Sequence, residues 1–329
     1  MNSSNAPARI KIGISTYNGS AHLELLLQSI RWYTLIEEPF DVVVCDDGST
    51  QDELDKTQML CDKFGATLIK NGINQGIPAT WNHLVGSLGG PAEINVILNN
   101  DICVTPQWLT VGVHFLDANK DNPIVGSCYW NPQNGIPLDA RRRLLPELTH
   151  TIVQTRNIVD GKPRDFHSGG PMEVRHGEHQ GLGRVMAPCG CCFAFRREVW
   201  EKVGPFDENI KSFFEETDWG TRCAAQGMAS FGFPYPSPLH EHGATFAANH
   251  ELNSGPRMAQ SRAYYRSKHG VPSEEREDFT WINHKHMSLI PQTQLTFLSP
   301  DYTRPLKEYK RPGGEIVKMP QLVEQIGLY

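Results

Sequence analysis

The 329-residue chain has no apolar run approaching the ~20 residues that a membrane-crossing helix needs. Its first nine residues, MNSSNAPAR, hold no apolar stretch of the kind a secretory leader carries. Both absences predict a cytoplasmic protein without a spanning segment. Basic charge is in deficit, with 31 Lys and Arg against 37 Asp and Glu and a formal net charge of −6. That excludes a generally basic nucleic-acid coat and leaves room only for local basic patches. Eight cysteines without a leader predict reduced thiols. Three motifs are missing: a P-loop G-x-x-x-x-G-K-[ST], a G-x-G-x-x-G after the first strand, and a G-x-S-x-G elbow. Ordinary NTPase, dinucleotide and α/β-hydrolase chemistries are therefore disfavoured. No internal repeat or low-complexity tract occurs.

What is present is an alternation. Apolar strand-like runs at Ile10–Ser15, Asp41–Cys45, Ala66–Lys70, Ile94–Leu98 and Ile124–Trp130 are separated by segments of helical period. Leu23, Leu26, Leu27 and Ile30 mark the first helix, a Thr50/Glu53 capping box the second, and Pro78 the first turn of the third. Short buried strands alternating with helices predict an α/β fold with a mostly parallel central sheet flanked by helices. Ligands in such sheets bind beyond the carboxyl ends of the strands. Here those ends read Thr16-Tyr17-Asn18, Asp46-Asp47 and Asn99-Asn100-Asp101. From Asn131 to Ala187 the alternation stops in a stretch that includes Arg141-Arg142-Arg143, which reads as a long insertion. Strand Cys191–Arg196, helices Glu198–Val203 and Glu215–Gly227, strand Ser230–Phe233 and a helix over Pro256–Lys268 are expected after it. The tail from Pro291, including the Lys307–Arg311 stretch, reads as an extended or partly disordered wrap.

Several clusters are candidates for chemistry. Asn99-Asn100-Asp101 either holds a hard divalent cation or forms an Asx turn. Glu215-Glu216-Thr217-Asp218 places three carboxylates at a helix start, more than the helix dipole calls for, and one of them facing a cleft would serve as a general base. His240-Glu241-His242 is a possible metal pair or simply packed histidine. Cys189-Gly190-Cys191-Cys192 lacks a second Cys/His pair at zinc spacing and predicts buried thiols. The arginine run reads as a solvated face or as a contact to an anion.

Taken in order, these segments resemble the inverting family 2 glycosyltransferases of GT-A fold. The resemblance rests on Ile12–Asn18, Val43–Thr50, Asn74-Gln75-Gly76 with Asn82, Leu98–Asp101, Gly204–Glu208, Glu215–Trp219, His240–Gly243 and Tyr264–Gly270. It spans residues 9–270. It implies a GT-A catalytic domain over residues 1–247, with 131–187 inserted as an acceptor lobe, and a C-terminal segment over 248–329 packed on it. It implies that Thr16, Tyr17, Asn18, Asp46, Asp47, Asn74, Gly76, Asn99 and Asn100 surround the donor nucleotide. Asp101, with His240 or His242, would hold Mn²⁺ or Mg²⁺. Asn99 stands where the family carries the first carboxylate of its Asp-x-Asp motif, and an amide is the weaker ligand. Glu216 matches the catalytic base, with Glu215 the alternative.

The implied reaction moves a sugar from a UDP-, dTDP- or GDP-sugar to an acceptor hydroxyl by single displacement. The acceptor would be a surface glycan or other polymer, reached through peripheral membrane contact where it is lipid-linked. The alternatives are a non-catalytic nucleotide-sugar-binding protein and a transferase acting on a polyanion such as modified DNA. All of this requires that Asp46, Asp101, Glu216 and His240 converge on one cavity.

Overall fold

In the computed structural model, Ile10, Ile12 and Ile14 are fully buried and form the middle of strand β1 (Ile10–Thr16). Almost every residue of β1 is buried, as a strand covered on both faces demands. The structure describes residues 8–34, 36, 38–86, 92–104, 108–120, 124–127, 158–159, 162–163, 183–185, 187–188, 190–228, 230–233, 238–241, 243–252, 254–272, 308–310 and 316–318.

Strands β2 (Phe40–Asp46), β3 (Thr67–Lys70) and β4 (Ile94–Asn99) join β1 in parallel, in the order β3-β2-β1-β4. The register pairs Thr16 with Asp46 and Ser15 with Asn99, so three polar turns leave the sheet side by side. Helices α1 (Ser20–Tyr33), α2 (Gln51–Phe64), α3 (Ile77–Gly86) and α4 (Trp108–Ala118) connect or flank these strands. One face of the sheet packs Leu23, Leu26, Ile30, Val113 and Phe115. The other packs Trp81, Leu84, Phe193, Phe206 and Trp219.

Beyond β4 the sheet departs from simple alternation. Two short strands intervene in the chain, β5 (Ile102–Cys103) and β6 (Ile124–Ser127). Then come the ladder β7 (Ile158–Val159) with β8 (Lys162–Pro163), β9 (Gly183–Val185) and β10 (Cys192–Arg196). Strand β10 runs antiparallel between β4 and β6. β11 (Ser230–Phe233) lies parallel to β6, and β9 closes the edge antiparallel to β11. Thus the last part of the 131–187 stretch belongs to the core sheet. Most of that stretch, with Arg141–Arg143, lies outside the described residues. β12 (Leu239–His240) pairs with β5 rather than with the main sheet.

The helices that follow β10 are α5 (Arg197–Val203), α6 (Glu215–Ala224), α7 (Ala244–Ala248) and α8 (Ser254–His269). Helix α6 ends three residues before Gly227. Helix α8 starts two residues before Pro256, which the first turn tolerates because its missing N–H would have no helical partner. In the tail, β13 (Glu308–Lys310) and β14 (Ile316–Lys318) form an antiparallel pair. The Thr50/Glu53 capping box does not form. Thr50 makes no side-chain cap bond, its N–H donates to Asn18 Oδ1, and Glu53 instead accepts from the Ser20 N–H at 3.0 Å. Tertiary partners here outcompeted the local reciprocal pair. No helix among the described residues is long and apolar enough to cross a membrane.

Candidate active site

The turn after β1 is fixed by its neighbours. Asn18 adopts a left-handed φ of 46°, its N–H donates to Ser49 Oγ, and its side-chain amide donates to Asn249 Oδ1. The turn after β2 splits two adjacent carboxylates. Asp46 folds under its own turn and accepts from the Gly48 and Ser49 N–H groups and from Ser49 Oγ. Asp47 accepts from Gln75 N, Gly76 N and Asn71 Nδ2, each at 2.9 Å. It thereby draws the 71–76 loop toward the strand ends. Burial raises its pKa against these hydrogen bonds. Gly48, at φ +82°, lies so close to this loop that a Cβ would come within 2.4 Å of the Ile73 carbonyl carbon. Asn71, which the sequence reading passed over, orients Asp47 and is in turn bonded to His83 Nδ1 at 2.7 Å.

The turn after β4 carries Asn100 and Asp101, both buried. Asn100 Nδ2 donates to Thr16 Oγ1 at 2.9 Å and ties this turn to the first. Asp101 is followed at once by β5, and the β5–β12 pairing sets His240 opposite Ile102. The Glu241 N–H donates to the Asp101 carbonyl at 3.0 Å. His240 Nε2 thereby lies 3.2 Å from Asp101 Oδ1, a buried oxygen that accepts no hydrogen bond from the described residues. His242 lies outside the described residues.

Helix α6 supplies the other wall. Phe213 and Phe214 both hold left-handed φ values, 63° and 70°, which cost energy in residues with a Cβ. They are held there by packing: Phe213 stacks on Phe246 with centroids 5.0 Å apart, and Phe214 packs on Tyr265 at 5.2 Å. The three carboxylates that follow go to three places. Glu216 is half-buried, with its carboxyl carbon 3.2 Å from where a Cβ on Gly190 would sit. Glu215 is buried and its Oε2 has no hydrogen-bond partner. Burial, together with the charge of Glu216, holds its pKa well above the usual carboxylate range. Asp218 turns away to Arg222, Lys268 and His269 at 2.9, 2.7 and 2.8 Å. Burial alone would raise its pKa, and these partners outweigh that and lower it.

One cleft of about 1000 Å³ is lined by Thr16, Tyr17, Asp47, Asn74, Gly76, Asn99, Asn100, Asp101, Glu215, Glu216 and His240. Asn18 and Asp46 are not in this lining; they brace the turns behind it. The convergence required of Asp101, Glu216 and His240 is present, with Asp47 in place of Asp46. The sequence reading missed the wall contributed by Phe213, Phe246, Arg257, Met258 and Arg262. Helix α8 is polar along nearly its whole length, so its sequence gave no sign of which stripe meets the cleft. Cys191 and Cys192 are buried as expected of packed thiols, and no cluster of three or more His, Cys, Asp or Glu among the described residues would hold a metal by itself.

Residues 11–204 match the model of glycosyl transferase family 2. The chain belongs to that family. It is therefore a glycosyltransferase, and its α/β sheet is that of the GT-A enzymes. It is 26% identical over 242 residues to an N-acetylglucosaminyl-diphospho-decaprenol L-rhamnosyltransferase of Mycobacterium tuberculosis, an alignment covering 68% of this chain and 73% of the relative. Among solved structures it is similar to a mannosyltransferase from Pyrobaculum calidifontis in complex with GDP-Man and Mn²⁺. That match has a TM-score of 0.54 and 17% identity over 88% of this chain and 73% of the other. A glucosyl-3-phosphoglycerate synthase from Mycobacterium tuberculosis superposes with a TM-score of 0.50 and 18% identity, covering 81% and 82%. At these identities the structural matches speak for the fold.

Proposed function

We propose that the protein transfers a sugar from a nucleoside-diphosphate donor to an acceptor hydroxyl with inversion, and that Glu216 is the base. The observation that carries this reading is the sharing of one cleft by Glu216, the Asp101–His240 pair and the Asp47-anchored loop. Thr16, Tyr17, Asp47, Asn74, Gly76, Asn99 and Asn100 surround the nucleotide, with Asn18 and Asp46 holding the turns that present them. The acceptor is read as a hydroxyl of a glycan or other polymer.

The donor set suits a divalent cation. Asp101 Oδ1 is buried without a hydrogen bond, and it sits 3.2 Å from an imidazole nitrogen. Adjacent ligands of an octahedral ion bound at about 2.1 Å are about 3 Å apart. Oxygen and imidazole ligands fit Mn²⁺ or Mg²⁺. Asp101 and His240 would hold it. When bound, such an ion supplies positive charge to the leaving diphosphate.

The protein groups do the rest. A bond forms between the acceptor oxygen and the anomeric carbon while the bond from that carbon to the diphosphate oxygen breaks. The hydroxyl proton passes to the Glu216 carboxylate. Burial and the charge of Glu216 push the Glu215 carboxyl up and so favour its neutral form, which leaves Glu216 as the member of the pair suited to act as base. Phe213, Phe214 and Phe246 narrow the cleft and exclude water, which would otherwise compete with the acceptor.

The test is nucleoside-diphosphate release from a panel of UDP-, dTDP- and GDP-sugars with Mn²⁺, together with the anomeric configuration of the product. Turnover with inversion, lost in Glu216→Gln while nucleotide binding persists, is the expected result. Full turnover by that variant would remove Glu216 from the mechanism. Donor binding without turnover by the wild type under any acceptor would support a binding protein instead.

A further inference from the structure

Helix α8 meets the cleft along one side, through Ser254, Gly255, Arg257, Met258 and Arg262. Further along the same stripe, its C-terminal half is spent on the fold. Ser261 Oγ donates to the Ser212 carbonyl at 2.7 Å, Tyr265 is buried against Thr221, and Lys268 and His269 hold Asp207 and Asp218. The basic residues of this helix therefore divide by position. Arg266 donates to the Pro272 carbonyl, Lys268 and His269 bond carboxylates of the core, and Arg257 and Arg262 line the cavity. Among the described residues Arg257 has no ion pair with a carboxylate. It also lies in the first turn of the helix, which has no acidic residue, and a cation there opposes the helix dipole. The fold gains nothing from that charge at that position.

The donor diphosphate already has a matched end of the cleft, at the β1, β2 and β4 turns with Asp101 and His240. Arg257 and Arg262 come from a different element and share their wall with Met258 and the stacked Phe213–Phe246 pair. Arg257 and Arg262 stand about 7.5 Å apart along the helix axis and about 140° apart around it, one on each side of Met258, and guanidinium groups that line one cavity suit a phosphoryl or diphosphoryl group. The neighbouring aromatic and thioether surface suits the apolar or sugar portion attached to it. Building on the transferase reading, we infer that the acceptor carries a phosphoryl group next to the accepting sugar or lipid, and that Arg257 and Arg262 are the residues that recognise it.

Inorganic pyrophosphate is the probe. Its binding to the full chain is followed by calorimetry, once with Mn²⁺ and once with a chelator. The expected result is two classes of binding. One requires Mn²⁺ and is lost in Asp101→Asn. The other survives chelation and weakens about tenfold or more in Arg257→Ala and in Arg262→Ala, the effect of losing a charge-assisted hydrogen bond. Arg257→Lys and Arg262→Lys should restore part of it, and both arginines are exposed enough that all four variants should fold, which circular dichroism checks. If chelation abolishes all binding, or if the arginine variants weaken only the Mn²⁺-dependent class, the pair serves the donor and the inference fails. In either case the Mn²⁺-dependent class would still support the transferase reading, so the two stand or fall separately.

Discussion

The two ends of the central sheet are equally rich in charge and treat it in opposite ways. At the amino end, Arg9, Glu93, Asp117 and Arg196 form a closed network. Arg196 reaches Glu93 at 2.5 Å and Asp117 at 2.9 Å, and Arg9 reaches Glu38, Glu93 and Asp117. Each of these charges faces an opposite charge of the fold, although Arg196 Nε itself has no hydrogen-bond partner among the described residues. At the carboxyl end, Asp101 Oδ1 and Glu215 Oε2 line a cavity and, among the described residues, accept no hydrogen bond, Asp101 having only the His240 imidazole 3.2 Å away. Leaving buried acceptors unmatched costs of order 1–3 kcal/mol each. The amino end holds the strands together, and the carboxyl end is where the proposed chemistry lies.

Substitutions should separate the ends. The largest effect is expected from Glu216→Gln, which should lower transfer by about 10²–10⁴-fold, the range of a lost general base, without moving the thermal midpoint. Progress curves and melting curves on the same preparation check this. Asp101→Asn should abolish stimulation by Mn²⁺, read from a metal titration of transfer. Arg196→Met should do the converse. It leaves Glu93 and Asp117, both partly exposed and still bonded to Arg9, with one partner fewer and should cost about 1 kcal/mol of stability, measured by denaturant unfolding, with activity per folded molecule retained.

Acid should act on the matched end first. The hydrogen bond from Arg9, aided by Arg196, holds the Glu93 pKa down at about 2. Its folded value lies below its unfolded one, so its stabilisation is complete above about pH 4.3 and disappears as pH falls toward 2. In Glu93→Gln that slope in unfolding free energy should flatten. Glu215 has the opposite sign. Its folded value is raised, so its contribution is complete below the unfolded value and is lost as pH rises. Glu215→Gln should therefore melt no lower than the wild type at pH 8, the smallest of these shifts. A clear loss of stability there would show that the carboxyl end is matched after all, and would erase the contrast.

Much of this was legible before any coordinates. The β1, β2 and β4 runs are apolar enough to require burial on both faces, and their polar ends had to emerge together at one edge. Glu215, Glu216 and Asp218 were recognisable as a surplus of charge at a helix start. Helical period alone puts Glu216 and Asp218 roughly 200° apart, so one had to turn from the other. It could not say which faced the cleft, because that depends on where Lys268 and His269 dock.

The sequence by itself determined the alternation of strands and helices, the edge at which a site must lie, and the residue types available there. Tertiary structure alone decided the partnerships. His240 meets Asp101 only because β12 pairs with β5, Asp47 rather than Asp46 faces the cavity because the 71–76 loop binds it, and Arg257 and Arg262 line the cleft because the C-terminal half of their helix is anchored on Ser212, Thr221, Asp207 and Asp218. Local patterns report what a segment can bury, since burial follows from the periodicity of its own side chains. They are silent on which distant segment supplies the opposing surface, because that is settled by packing the whole chain at once.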